Sequence, residues 1–171
     1  MPAVILGFLF SGFFENTFRS STMIAFALIL GSVLMYIAEY MYKKQEISDT
    51  FPSYKKSLYI GLFQSLALIP GMSRSGATIS GGMLVGLSRD KAVRFSFLLS
   101  VPIIFGAALK GLFSLGTASG VSFLPVLAGG ITAFAVGLLA IHFLVIFLKN
   151  RTLKLFIWYR VILAVLILIF L

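Results

Sequence analysis

Long apolar runs alternate with short polar segments along the chain, a pattern typical of helices that cross a membrane. Such a helix needs roughly 20 mainly apolar residues. Four runs approach or exceed this length, and we predict membrane spans at residues 22–42, 95–113, 123–148 and 155–171. Pro102 falls inside the second run and predicts a kink there.

Two apolar runs in the middle of the chain, residues 57–69 and 77–87, are too short to span. At about 1.5 Å per helical residue, the longer one reaches ~20 Å, against a hydrocarbon core of ~30 Å. Between them stands PGMSRSGAT, with a proline, two glycines, three hydroxyls and an arginine. We therefore predict that residues 57–88 form a re-entrant helix pair, which enters the membrane and returns to the same side.

The distribution of basic residues agrees with the re-entrant prediction. The net charge of +9 is concentrated in the polar segments 43–56, 89–94 and 149–154, whereas the segment 114–122 has no charge. Basic loops are usually cytoplasmic. If residues 57–88 return to their starting side, all three basic segments share one side. If the two runs each crossed the membrane, with a tight turn outside, residues 89–94 would also return to the starting side. Each run is short for a crossing, however.

Composition narrows the class of protein further. The chain is 60% hydrophobic and 11% charged, whereas soluble domains are about 25% charged. We predict an all-α fold, a polytopic membrane helical bundle forming a single membrane domain over residues 1–171. Because the basic residues lie in loops, we expect anionic lipid headgroups rather than nucleic acid as partners. One histidine, five acidic residues and no cysteine leave little material for a metal site.

The central PGMSRSGAT segment carries the candidate chemistry. An arginine at membrane depth costs at least about 2.5–3.5 kcal/mol on insertion scales, and an anionic ligand would offset that cost. Its guanidinium offers paired donors to phosphate oxygens, and the start of the second half-helix, expected near Gly76, offers N–H groups. The predicted phosphate cradle comprises Gly71, Ser73, Arg74, Ser75, Gly76 and Thr78.

Structural interpretations stand beside this one. Small and hydroxyl-bearing residues are common where membrane helices pack, and Arg74 could instead pair with Glu39 or cap a carbonyl. We expect His142, within an apolar helix, to pack rather than catalyse. Lys110 is expected to extend toward the membrane surface.

The sequence GLFQSLALIPGMSRSGATISGGMLVGLSRDKAVRFSFLLSVPIIFGA closely resembles the second signature region of the bacterial undecaprenyl pyrophosphate phosphatases, the bacitracin-resistance type. The resemblance implies a multi-pass enzyme of the bacterial inner membrane. It would hydrolyse undecaprenyl diphosphate to undecaprenyl phosphate, which recycles the lipid carrier for peptidoglycan synthesis. It also implies an inverted-repeat fold, of which this chain would contain about half, and a divalent cation, magnesium or calcium.

The resemblance also implies roles for individual residues. Arg74 would clamp phosphate, and Ser73 would be the nucleophile or a phosphate donor. Thr78 would be a ligand or an orienting hydroxyl, and Gln64 would line the cavity. The phosphate-binding residues would be Gly71, Arg74, Ser75 and Gly76.

The chain departs from the family pattern in its acidic residues. The family's early glutamate motif, with acids four residues apart, has no counterpart, since the early acids are Glu15 and Glu39. The apolar run at residues 2–14 is too short to span and resembles the tail of a helix. We therefore expect a C-terminal portion without metal ligands of its own and weakly active alone, which a missing N-terminal repeat or a second copy could complete. The alternatives are a lipid-phosphate carrier that does not hydrolyse, and an inactive partial homologue.

Overall fold

A computed structural model describes residues 2–7, 9, 20–117 and 123–170. For residues 110, 114–117, 123 and 150 it describes the backbone and not the side chain. In this part the regular secondary structure is helical, apart from one isolated bridge between Ser48 and Leu87, so the predicted all-α class is confirmed. The helices are α1 (Ser21–Tyr42), α2 (Tyr54–Ser65), α3 (Arg74–Leu84), α4 (Arg89–Thr117), α5 (Phe123–Asn150) and α6 (Lys154–Phe170), with a 3-10 turn at Leu66–Leu68 after α2.

Three helices of the described part are long and apolar enough to cross a membrane, judged by length and composition. They are α1, the Arg89–Phe113 part of α4 and the Leu124–Lys149 part of α5, and they cover three of the four predicted spans. The fourth prediction, 155–171, corresponds to α6, whose 17 residues fall short of the usual length. That span stays a prediction. We conclude that the chain is a membrane protein.

The short helix α3 lies at the centre, in contact with α1, α2 and α4. Its small side chains make this position possible, because neighbouring helices can then approach closely. A Cβ atom at Gly81 would lie 2.7 Å from the Phe63 ring of α2, and one at Gly82 would lie 2.9 Å from Ala92 of α4. Gly81 and Gly82, which lie outside the predicted phosphate cradle, thus form part of the packing surface of α3.

The segment that follows α1 and the turn between α3 and α4 lie side by side. The Ser48 N–H donates to Gly86 O at 2.8 Å, and the Ser88 N–H donates to Ser48 O at 3.0 Å. Gln45 donates to Met83 O. The segment after α1 is therefore hydrogen bonded to the turn between α3 and α4.

Glu39 joins a third segment to these two. Its carboxylate accepts from the Arg89 guanidinium, at 2.7 Å for Nη2 and 3.2 Å for Nε, and from the Leu153 N–H at 2.8 Å. The Arg89 guanidinium also lies 4.2 Å from the centre of the Tyr42 ring. One buried carboxylate thus connects α1, the start of α4 and the loop before α6.

Several predicted boundaries change. The second half-helix, expected from Ala77 with its start near Gly76, begins at Arg74 because Ser73 caps it. Helix α4 continues through Pro102 and extends to Thr117, so the segment predicted as loop from 114 starts as helix. The remaining part, 118–122, lies outside the described residues. So do residues 8 and 10–14 of the predicted N-terminal run, the following Glu15, and the last residue of the 155–171 span.

Candidate functional site

The segment from Ile69 to Ser73 is a tight loop that ends in the cap of α3. Ile69 is extended, as expected before a proline, and the Met72 N–H donates to Ile69 O at 3.1 Å. The Ser73 Oγ accepts from the Gly76 N–H at 3.2 Å, and Ser73 O accepts from the Ala77 N–H at 3.0 Å. Ser73 therefore acts as an N-cap, the role for which serine is among the preferred residues.

Two residues of this loop have positive φ angles. Gly71 has φ +94°, and a Cβ there would lie 2.7 Å from Ile24 O of α1, so both conformation and space require glycine. Ser73 has φ +65° and ψ 109° although it is not glycine. Strained backbone of this kind costs on the order of 1–3 kcal/mol and often occurs at functional sites.

The loop presents consecutive N–H groups at the start of α3. Within the part of the chain that the structure describes, the backbone N–H groups of Ser73, Arg74 and Ser75 have no hydrogen-bond partner. Successive N–H groups around a positive-φ residue form anion-binding concavities, and a helix N-terminus adds its dipole. Such a surface can bind phosphate oxygens.

Arg74 and Gln64 line the same cavity, of about 440 Å³, which we call the front cavity. Its other walls are apolar residues of the N-terminal segment, the 3-10 turn and α4, namely Ala3, Val4, Gly7, Ala67, Leu68, Pro102, Ile103, Gly106 and Ala107. Gln64 is 2% exposed. Neither its amide oxygen nor its amide nitrogen has a partner among the described residues. A buried polar group without a partner costs about 1–3 kcal/mol, and a polar ligand in the front cavity would offset that cost.

Ser73, Ser75 and Gly76 line a different cavity, of about 230 Å³, which we call the rear cavity. Its walls come mainly from α1, α5 and α6 and include Met35, Leu144, Leu148, Phe156, Tyr159 and Arg160. The structure thus brings the two serines together and separates them from Arg74 and Gln64. The separation follows from helical geometry, since consecutive residues of a helix point in directions about 100° apart.

Thr78 is buried between helices and is not among the residues that line either cavity. Its hydroxyl donates to Arg74 O at 2.9 Å and is paired with the Ser96 hydroxyl of α4. In this arrangement Thr78 fixes the first turn of α3 against α4.

Neither of the structural alternatives for Arg74 is observed among the described residues. Glu39 pairs with Arg89, so the suggested Arg74–Glu39 pair is wrong. Within the described residues, the Arg74 side chain has no hydrogen bond to a carbonyl and no acidic partner. His142 is exposed on α5, and the Lys110 side chain lies outside the described residues.

Sequence reasoning did not single out Arg160, which lies 6% exposed against the back of the loop. Its Nη2 donates to Gly71 O at 2.9 Å, Leu28 O at 3.2 Å and Met72 O at 3.3 Å. Its Nε donates to the Ser32 hydroxyl at 3.4 Å. No carboxylate of the described chain pairs with it. An arginine inside the last apolar run was the available signal, because ionisable residues within membrane segments are functional candidates by default.

No cluster of three or more histidine, cysteine or acidic side chains suited to a metal occurs in the described ranges. The residues that line the two cavities therefore do not fit a magnesium or calcium site.

Comparison with known proteins gives a consistent result. The family model described as bacitracin resistance protein BacA matches residues 1–166. The chain is 41% identical to the undecaprenyl-diphosphatase of Bacillus velezensis over 170 residues, which cover 98% of this chain and 62% of that protein. The same shares hold for the undecaprenyl-diphosphatase of Chloroherpeton thalassium, at 41% identity, and undecaprenyl-diphosphatase 2 of Shouchella clausii, at 42%. The chain therefore spans about three fifths of the length of these relatives.

Proposed function

Because the chain belongs to the bacitracin resistance protein BacA family, we propose that it hydrolyses undecaprenyl diphosphate to undecaprenyl phosphate and inorganic phosphate. The reaction named by its relatives supplies the substrate class. The observation that carries the proposal is the start of α3, where Arg74 and three consecutive free N–H groups lie together in the described chain. A diphosphate is the multiply charged anion that these groups can bind.

We propose that residues 57–88 enter the bacterial inner membrane from the cytoplasmic side and return to it. The hydrogen bonds between Ser48 and the turn at Gly86 and Ser88 support this topology. They hold the segment before α2 next to the segment after α3. All three basic segments then lie in the cytoplasm, as the distribution of lysine and arginine favours.

In the proposed reaction, the chain binds and polarises the terminal phosphate. The Arg74 guanidinium and the N–H groups of Ser73 and Ser75 hold non-bridging oxygens and stabilise the charge that develops on them. The Gln64 amide orients the headgroup. Water attacks the terminal phosphorus, the bridging P–O bond breaks, and its electron pair stays on the lipid phosphate.

We propose that Ser73 caps α3 and is not the nucleophile, because its side chain lines the rear cavity, away from Arg74 and Gln64. Its oxygen already accepts from the Gly76 N–H. A serine nucleophile needs a base within hydrogen-bond reach. Among the described residues lining the two cavities, none is a histidine, aspartate or glutamate. We propose Thr78 as a positioning hydroxyl, since it holds the carbonyl of Arg74.

A divalent cation, magnesium or calcium, remains a proposal whose ligands would come from outside the described residues. The same holds for the base that activates water. We propose that a segment supplying carboxylates, from a missing repeat or a second copy, completes the site.

A second candidate function is a carrier that binds the same lipid headgroup without hydrolysis. The absence of a titratable base from the described cavity linings favours it for this chain alone. Binding and phosphate release separate the two functions, because a carrier binds the lipid and releases no phosphate.

The test is binding and hydrolysis of farnesyl diphosphate by the purified chain in lipid vesicles, with and without magnesium or calcium. We expect Arg74→Ala to weaken binding by roughly 10- to 100-fold, because hydrogen bonds to charged groups contribute about 1.5–3 kcal/mol. Arg74→Lys should retain part of the affinity. Arg94→Ala is the matched control, since Arg94 is exposed and pairs only with Asp90 in the described chain. Unchanged binding in Arg74→Ala would rule out the proposed cradle.

A further inference from the structure

Arg160 holds the loop by its carbonyl groups. In a trans peptide, C=O and N–H point in opposite directions. Between Gly71 and Met72, the carbonyl accepts from Arg160 and the N–H turns to Ile69 O. Between Met72 and Ser73, the carbonyl again accepts from Arg160. The Ser73 N–H therefore points away from Arg160, as the first donor of the proposed phosphate site.

The peptide between Met72 and Ser73 is also where backbone strain is stored. The φ angle of +65° at Ser73 is one that a serine rarely adopts. Rotating this peptide by about half a turn would bring φ into the negative range. The rotation would also direct a carbonyl oxygen, instead of an N–H, toward the bound phosphate, where it would repel the anion.

We propose that Arg160 is a positioning residue that prevents this peptide flip and so keeps the loop competent to bind phosphate. The inference rests on the proposed function, because it takes the loop N–H groups as the phosphate ligands. The guanidinium is suited to the task because it is planar, rich in donors and without a carboxylate partner in the described chain. Its donors are therefore directed to carbonyl oxygens of α1 and the loop.

Gly31 of α1 has no side chain, and the Arg160 guanidinium occupies the space that a Cβ atom there would fill. A Cβ atom there would lie 2.3 Å from Arg160 Nη2 and 2.9 Å from Met72 O. Gly31→Ala should therefore crowd both the guanidinium and the Met72 carbonyl, so it tests how closely these groups fit together and not the role of Arg160 alone.

The direct readout is the backbone conformation of Ser73, measured by NMR of the full chain in micelles with labelled serine. The coupling between the amide and α protons and the carbon shifts report φ without any ligand. We expect a positive φ in the unaltered chain and in Arg160→Lys, and a negative φ in Arg160→Met. If Ser73 keeps its positive φ in a folded Arg160→Met protein, the inference is overturned. If that variant does not fold, the same measurement on Arg160→Gln decides, because the shorter glutamine amide cannot bond both loop carbonyls, and we expect a negative φ there as well.

The second readout is binding of inorganic pyrophosphate. We expect Arg160→Met to weaken binding about tenfold, as the loss of hydrogen bonds made by a charged group implies. Ser73→Gly removes the strain, so in that background Arg160→Met should weaken binding much less, about threefold or under. Equal losses in both backgrounds would mean that Arg160 attracts the anion directly by its charge, which contradicts a positioning role.

Arg89→Met is the matched control, because Arg89 is also partly buried but pairs with Glu39, away from the loop. It should leave the Ser73 signals and the affinity for pyrophosphate unchanged. If the unaltered chain does not bind pyrophosphate, the proposed function fails at this site. The Ser73 conformation then still decides whether Arg160 holds the loop.

Discussion

Two arginines lie on opposite sides of the same loop and have different partners. Arg74 lines the front cavity with Gln64, whereas Arg160 lies behind the loop and binds its carbonyl oxygens. The motif contains only the first. Because a guanidinium has donors and no acceptor, the two together leave the loop with its N–H groups available for an anion. We expect changes at Arg74 to affect the ligand contact and changes at Arg160 to affect the loop conformation.

Gly71→Ala tests how tightly the loop fits against α1. The change adds a Cβ at φ +94°, 2.7 Å from Ile24 O, so we expect the free energy of unfolding to fall by more than about 1 kcal/mol. The measurement is thermal unfolding in detergent followed by circular dichroism. Gly137→Ala is the control, because nothing lies within 4 Å of a Cβ at that position. A Gly71→Ala protein as stable as the control would contradict the described loop.

At the scale of elements, the small residues of α3 let it pack closely against its neighbours α2 and α4. Gly81 and Gly82 let Phe63 and Ala92 approach the helix, while Thr78 is paired with Ser96 across the α3–α4 contact. The short helix is therefore held on the sides of both α2 and α4, and its N-terminus is placed by neighbours rather than by its own length. The proposed phosphate site at that N-terminus would therefore be held in place before a ligand binds, which favours affinity.

Glu39→Gln tests the joint between α1, α4 and the loop before α6. The change leaves the partly buried Arg89 guanidinium without its carboxylate and weakens the bond from the Leu153 N–H. We expect a loss of about 1–3 kcal/mol in the free energy of unfolding, the range for leaving a buried polar group unsatisfied. Chemical unfolding of Glu39→Gln, Arg89→Met and the double variant gives the coupling. Additive losses would show that the pair contributes no coupling.

At the scale of the whole molecule, the loops that carry most of the charge converge on one end. The contacts of Ser48 with Gly86 and of Glu39 with Leu153 bring the segments after α1, before α4 and before α6 together. Their proximity agrees with the proposed topology, in which all three basic segments lie in the cytoplasm.

Single cysteines test that arrangement cleanly, because the chain contains no cysteine of its own. Glu46→Cys, Arg94→Cys and Arg151→Cys place thiols on exposed residues of the three basic segments. We expect all three to react with a membrane-impermeant maleimide only after the cytoplasmic face is opened. Labelling of Arg94→Cys from the outer face would mean that residues 57–88 cross the membrane, and the proposed topology would be wrong.

The amino-acid sequence by itself determined the helical class, the three long apolar helices, the family and the loop at Gly71 and Ser73. These depend on run length, composition and local residue types, which act over a few positions. Only the tertiary structure decided that Glu39 pairs with Arg89 and that Arg74 and Ser73 line different cavities. It alone also decided that Arg160 donates hydrogen bonds to the carbonyl groups of the loop. The hydrogen bonds of Arg160 join residues 88 to 133 positions apart. Such contacts depend on how α1, α3 and α6 pack, because no local pattern specifies which buried arginine meets which carbonyl.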